Sequence, residues 1–331
     1  MKASPRRAAL SAIGVIMTVA GCSGASGGAN APANAGGAGE RPTAVTVEHA
    51  MGTTDVPCAP ERVVTLGQGQ TDSVLALGVT PVGAVKPWTD DWYDYLPDEI
   101  EQVEIIGTEL EPDLEAIAAL QPDVILGSKL RHEALYPQLS QIAPTVFSET
   151  IGVSWKDNVS LWADALCRQE EGQEALDAYE QRADEIEARL EEAGKADTEV
   201  SLVRFMPDQV RIYLTGFPGS VLRDAGLNRP QDQQVDNWDE SPQLIEISEE
   251  RIPEMDGDVI LVMVSDKWYA QTGGHDVDET MERWTSTDLW QGLSAVQAGN
   301  VHEINESHWN LGGGILAATT ALDSIEDLLL P

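Results

Sequence analysis

Two α/β lobes flanking one long helix are what this 331-residue sequence predicts. Three observations carry that expectation. Short β-branched runs alternate with helical patterns from about residue 62 to 127, a proline-free stretch of helical periodicity fills 158–193, and the alternation then resumes. Strand, helix and strand in tight succession call for parallel sheets covered on both faces, because parallel neighbours need a crossover between them.

The first forty residues stand apart from the body. Lys2, Arg6 and Arg7 precede an apolar run from Ala8 to Ala20, too short for a mature membrane span and right for a signal peptide over residues 1–21. The run ends in Val19-Ala20-Gly21-Cys22, which resembles a bacterial lipobox and implies cleavage before Cys22 and lipidation of that residue. Ordinary secretion with a chance cysteine is the alternative. At roughly 0.8 kcal/mol per buried methylene one acyl chain holds weakly, whereas two or three give stable retention at the extracytoplasmic face of the membrane. Residues 22–41 are nearly all Gly, Ala, Ser and Asn, cannot bury a core, and are expected to form a flexible tether.

The first lobe is expected over 42–155. Arg62–Leu66 reads as a strand, Thr71–Leu77 as a helix stopped by Gly78, and Val82–Val85 as the next strand. Leu114–Leu120 has helical spacing after Pro112-Asp113, and Asp123–Gly127 comes next as a strand. The connecting helix is expected within 156–195. Leu161, Ala165, Leu166, Leu176, Tyr179, Ile186 and Leu190 recur at three- and four-residue steps until Gly194, a helix of roughly 50 Å. The second lobe, 196–331, opens with Val200–Arg204 and Gln209–Tyr213, continues with a helix over Ser220–Ala225, and contains Asp258–Met263 as a buried strand.

Composition excludes some partners. Twenty basic residues against 56 acidic give a net charge of −36, a surface that repels nucleic acid and anionic lipid. With Cys22 assigned to lipid, Cys58 and Cys167 remain, in a compartment where disulfides persist, and are expected to pair; two buried free thiols are the alternative. Neither has His or Cys neighbours at metal-ligand spacing.

Five blocks, APERVVTLGQGQTDSVLALGVTPVGAV (Ala59 to Val85), EPDLEAIAALQPDVILGS (Glu111 to Ser128), GSVLRDAGLNRP (Gly219 to Pro230), ISEERIPEMDGDVILV (Ile247 to Val262) and HWNLGGGILAATTALDSIEDLL (His308 to Leu329), occur in one order. Together they resemble the ferric-siderophore binding lipoproteins of bacterial ABC importers. The resemblance implies two Rossmann-like lobes joined by one long rigid helix, the helical-backbone periplasmic binding protein fold, with a ferric siderophore held between the lobes. It also implies a monomer, an ABC transporter permease as partner, and one docking glutamate on each lobe: Glu115 and Glu250. Cobalamin and haem binders share the fold, so the resemblance specifies mechanism better than ligand. No cofactor is implied; the ferric chelate is cargo.

Ligands of open α/β sheets sit beyond the carboxyl ends of the strands. Those positions hold Gln68, Gln70 and Thr71, then Trp88 and Trp92, Lys129 and Arg131, and Trp155; the second lobe offers Arg204, Trp238, Trp268 and Trp309. Nine Trp against three Phe is an unusual balance for core building, and indole faces pack well on the organic shell of a chelate. Arg204 stands where related binders carry an arginine that hydrogen-bonds chelate oxygens, and its guanidinium is a rigid fork of donors. So few cations favour a neutral or cationic trishydroxamate over a triscatecholate.

Other classes fit less well. The five histidines, His49, His132, His275, His302 and His308, are scattered and show no ligand spacing for a bare metal ion. Gly219-Ser220-Val221 lacks the nucleophile-elbow pattern, Gly67-Gln68-Gly69 is half a dinucleotide fingerprint, and Gly312-Gly313-Gly314 reads as close packing at a helix start. The remaining alternative is a lipoprotein that only binds another protein. A single connecting helix resists hinge motion, so small lobe movements are expected.

Overall fold

The computed structural model describes residues 43–238, 240–265 and 277–330. Cys22, Trp268 and His275 lie outside them, as do the signal and tether segments. Among the described residues no helix is long and apolar enough to cross a membrane.

Each lobe is built on a five-stranded sheet. The first comes after a hairpin of β1 (Ala44–His49) and β2 (Gly52–Pro57) and contains β3 (Val63–Thr65), β4 (Gly83–Lys86), β5 (Glu104–Thr108), β6 (Val124–Ser128) and β7 (Thr145–Ser148) in the order β5-β4-β3-β6-β7, all parallel. Its central strands are buried along their whole length, as strands covered by helices on both faces must be. The second contains β8 (Val200–Phe205), β9 (Val210–Tyr213), β10 (Leu244–Ile247), β11 (Val259–Val264) and β12 (Val301–Ile304) in the order β10-β9-β8-β11-β12. There β8, β11 and β12 are parallel, and β9 runs antiparallel to both neighbours.

The connecting segment is helical in two pieces, Trp155–Leu166 and Gln169–Glu192, rather than in one unbroken rod. Cys167 takes a left-handed conformation (φ 52°), and the Arg168 N–H turns back to the Ala163 carbonyl at 2.8 Å, closing the first helix. Neither Gly nor Pro marks this break, so hydrophobic periodicity runs through it. Cys167 is joined by a disulfide to Cys58, just beyond the hairpin. The first piece is shared between lobes: Trp155 and Val159 belong to the second-lobe core, whereas Trp162, Ala163, Ala165 and Leu166 pack with Val47, Val56, Val63 and Val74 of the first.

The C-terminal helix, Ile315–Leu329, crosses back to the first lobe. Asp72, fully buried in the Gln68–Ala76 helix, accepts the N–H groups of Leu316 (2.8 Å) and Ala317 (2.9 Å) and so caps a helix of the opposite lobe. Gly69, Gly312 and Gly314 let the lobes meet. A Cβ on Gly69 would come within 2.8 Å of the Gly313 carbonyl, and one on Gly314 would collide with the Asp72 carboxylate.

The hairpin and strands β5, β7, β10 and β12 have no clear sequence signal. Charged or titratable residues interrupt β5, β10 and β12 (Glu104, Glu246, His302 and Glu303), and the hairpin turn carries no Asn-Gly or Asp-Gly pair.

Candidate functional site

The carboxyl ends of the two sheets face a cleft of about 420 Å³. First-lobe strands bring Gln68 (after β3), Trp88 (after β4), Glu109 (after β5) and Arg131 (after β6) to its wall, with Gln70 one turn into the helix. The second lobe contributes Arg204 from the end of β8, Arg211 and Tyr213 from β9, Ser265 after β11 and Glu306 after β12. Trp155, at the start of the connecting helices, lines it beside Phe217.

Each lobe presents an arginine–glutamate pair. Arg131 Nε lies 3.3 Å from Glu109 Oε1, with Arg131 39% exposed and Glu109 8%. The Trp88 indole N–H donates to Glu109 Oε2 at 3.1 Å, and burial pushes the Glu109 carboxyl up although Arg131 and Trp88 pull it down. On the other lobe Arg204 and Glu306 form an ion pair in which both side chains are 9% exposed. Burial opposes the Arg204 charge, yet Glu306 and Tyr213 hold its pKa above the ordinary value. Its remaining contacts are long: Nη1 donates to the Tyr213 hydroxyl at 3.3 Å, Nη2 to Ser265 Oγ at 3.4 Å, and Nε has no hydrogen-bond partner. Arg211 is held by Gln209 and by Glu246 at 3.3 Å.

The structure brings together Gln68, Gln70, Trp88, Arg131, Trp155 and Arg204. Five other expected residues do not line the cleft. Thr71 is buried in the first lobe, hydrogen-bonded to Thr65 at 2.7 Å and to the Gly67 carbonyl at 3.0 Å, as a helix-interior hydroxyl often is. Lys129 points outward to Glu149 at 2.8 Å. Trp92 packs with Leu75, Ala84, Ile100 and Val103. Trp238 stacks under Arg223, 4.1 Å from ring centroid to guanidinium. Trp309 is fully buried in the second-lobe core, its indole N–H on Ser324 at 2.9 Å. Tryptophan is large enough to serve as core, and its abundance alone does not say which face of a loop it takes. Sequence reasoning missed Glu109, Arg211, Tyr213, Ser265 and Glu306. The strand-end rule reaches Glu109 and Glu306 once β5 and β12 are recognised.

Glu115 is exposed, one residue into the helix capped by Asp113, and Glu250 is exposed on the second lobe, its pKa lowered by a hydrogen bond from Ser248.

A model of the periplasmic binding protein family matches residues 63–307. The chain is 42% identical over 294 residues to the "Probable siderophore-binding lipoprotein YfiY" of Bacillus subtilis, covering 86% of this chain and 87% of that one. It is 34% identical to the achromobactin-binding periplasmic protein of Dickeya dadantii, over 80% of this chain and 85% of that one. The crystal structure of Staphylococcus aureus SirA complexed with staphyloferrin B superposes with a TM-score of 0.78 at 36% identity, covering 86% of this chain and 98% of that one. Family model, relatives and fold agree, and the chain belongs to the periplasmic binding protein family, a class of solute binders.

Proposed function

We propose that this protein captures a ferric siderophore in the cleft between its lobes and delivers it to an ABC permease for iron import. The observation that carries this reading is the convergence of Arg131, Arg204 and Arg211 with the Trp88 ring on one cleft, in a chain whose relatives are siderophore binders. A ferric chelate surrounds its metal with its own oxygens, so the protein must offer donors to those oxygens and apolar walls for the organic shell. Sparse cations in the sequence favour a neutral hydroxamate complex; their concentration in one cleft favours a chelate carrying carboxylate oxygens, as guanidinium groups pair with carboxylates in matched planar geometry.

Cys22 as a lipid anchor holds the protein at the extracytoplasmic face of the membrane, and Glu115 and Glu250, on separate lobes, serve as charges for docking a permease. Rim charges of this kind guide encounter and register. The protein acts as a monomer in this reading.

The test is a tryptophan-fluorescence titration of the purified protein with ferric citrate, ferric staphyloferrin B, ferrioxamine B, a ferric triscatecholate, haem and cobalamin. Saturable quenching by an iron chelate, weakened in Arg204→Ala, supports the reading. Absence of any response to the iron chelates sinks it.

A further inference from the structure

The cleft contains two carboxylates where an anion binder would be expected to keep only cations. Glu109 and Glu306 each sit on one of the arginines that line it, one pair per lobe. Among the described residues the lining therefore carries three arginines against two glutamates, a nearly neutral surface. Resting on the siderophore reading, we propose that Glu109 and Glu306 are stand-in anions: in the loaded cleft Arg131 and Arg204 exchange them for oxygen anions of the chelate, and the released carboxyls take up protons.

The two exchanges differ in which partner moves. Glu109 is held in place by the Trp88 indole and lies against the Gln68 amide, while Arg131 is 39% exposed and sits on a short helix at the rim. Arg131 is the mobile member. When it turns to the chelate, Glu109 keeps neutral donors but loses its cation in a buried position, where the protonated carboxyl is favoured. In the second lobe Arg204 is fixed in strand β8, with Tyr213 and Ser265 on its flanks, and Glu306 precedes the irregular turn Ser307–Leu311. Here the carboxylate is the member that yields. The guanidinium's long hydroxyl contacts leave its Nη groups weakly engaged once Glu306 withdraws, free to turn to chelate oxygens.

Other titratable groups nearby do not supply the proton. His132, whose ring nitrogen meets the Glu109 carbonyl at 2.9 Å, has its pKa lowered by burial and stays neutral. Burial keeps Tyr93, whose hydroxyl accepts the Trp88 backbone N–H at 3.3 Å, protonated well beyond neutral pH. Arg211 is paired with Glu246, and a guanidinium keeps its protons in proteins. The Tyr213 hydroxyl is engaged as the acceptor of Arg204 Nη1.

The physical gain is charge matching without a permanently charged cavity. With both glutamates ionised the lining suits a weakly charged ligand; with both protonated, Arg131 and Arg204 offer two uncompensated guanidinium groups to a polyanionic ferric chelate, while Arg211 stays paired with Glu246.

The experiment is isothermal titration of the purified protein with ferric staphyloferrin B and ferric citrate, at one pH in buffers of different ionisation enthalpy, with ferrioxamine B as the cationic control. The slope of enthalpy against buffer enthalpy counts protons. The expected result is an uptake of about one to two protons per anionic chelate, with affinity rising up to about tenfold per proton for each pH unit lowered, and none with ferrioxamine B. Glu109→Gln and Glu306→Gln each remove part of the uptake; because wild-type protein supplies the primary count, and the two variants lie on separate lobes, loss of folding in one still leaves the other to decide. Chelate binding with no proton uptake, or uptake unchanged in the variants, overturns the exchange while leaving siderophore binding intact. Failure of every ferric chelate to bind instead overturns the function on which it rests.

Discussion

The lobes face each other in two places, and the two are built to opposite specifications. At the seam, Asp72 reaches across to cap the C-terminal helix through two hydrogen bonds, and Gly69, Gly312 and Gly314 omit the Cβ atoms that would hold the lobes apart. Asp94 and His308 add a cross-lobe pair at 2.7 Å beside the Tyr95 ring. In the cleft, each lobe has one arginine–glutamate ion pair, and the hydroxyl contacts of Arg204 are long. One region is satisfied and fixes geometry; the other keeps donors in reserve and changes partners. A binding protein with this seam is expected to close little, so solution scattering should show a radius of gyration nearly unchanged on loading.

The largest effects are expected on the structural side of this comparison. Cys58→Ser removes the bridge between the hairpin and the junction of the connecting helices, which closes a loop of 109 residues in sequence separation, and should cost about 3 kcal/mol by denaturant unfolding. Asp72→Ala leaves one buried and one half-buried N–H group without an acceptor and should cost about 2 kcal/mol, with a larger radius of gyration by scattering. Little change in either quantity would mean that the seam does not set the lobe geometry.

The seam should also respond to pH. Burial raises the Asp72 carboxyl to about 7 in the folded state, above its value in an unfolded chain, although the Leu316 and Ala317 amides oppose the shift. A raised folded pKa means that the native state holds a proton the unfolded state has lost. The contribution is therefore full below about pH 4 and is lost as pH rises toward 7. Thermal unfolding of Asp72→Asn should lack this part of the wild-type pH slope.

Smaller global effects and larger local ones are expected in the cleft. Arg204→Ala strands Glu306 in a buried position and should weaken chelate affinity about a hundredfold, whereas Arg131→Ala, at the exposed rim, should weaken it about tenfold. Equal losses would show that burial does not rank the two arginines. Lys129→Ala breaks only a surface pair with Glu149 and should change stability by less than about 0.5 kcal/mol and chelate affinity not measurably.

The α/β alternation, the two lobes and the chemistry at the ends of β3, β4, β6 and β8 were legible because each is written in neighbouring residues: buried strands as β-branched runs, helices as three- and four-residue steps, the site as the residues just past a strand's carboxyl end. The same local reading failed where a signal was short or silent. Edge strands interrupted by polar residues, Glu104 in β5 and His302 and Glu303 in β12, leave no continuous apolar run, so Glu109 and Glu306 went unseen. Cys167 breaks a helix with no Gly or Pro to announce it, in a residue bridged to a hairpin far away in sequence.

The tryptophans mark the boundary most clearly. Sequence by itself determined that indoles stand near strand ends, and that Arg204 ends a buried strand. Tertiary packing turns Trp88 toward the cleft, buries Trp155 and Trp309 in the second-lobe core, and lays Trp238 under Arg223. Local periodicity sets which residues form an element, because backbone hydrogen bonding is local there. Which side of a loop is buried depends on contacts with other elements, Arg223 for Trp238, Ser324 for Trp309 and Glu109 for Trp88, that meet only when each lobe packs.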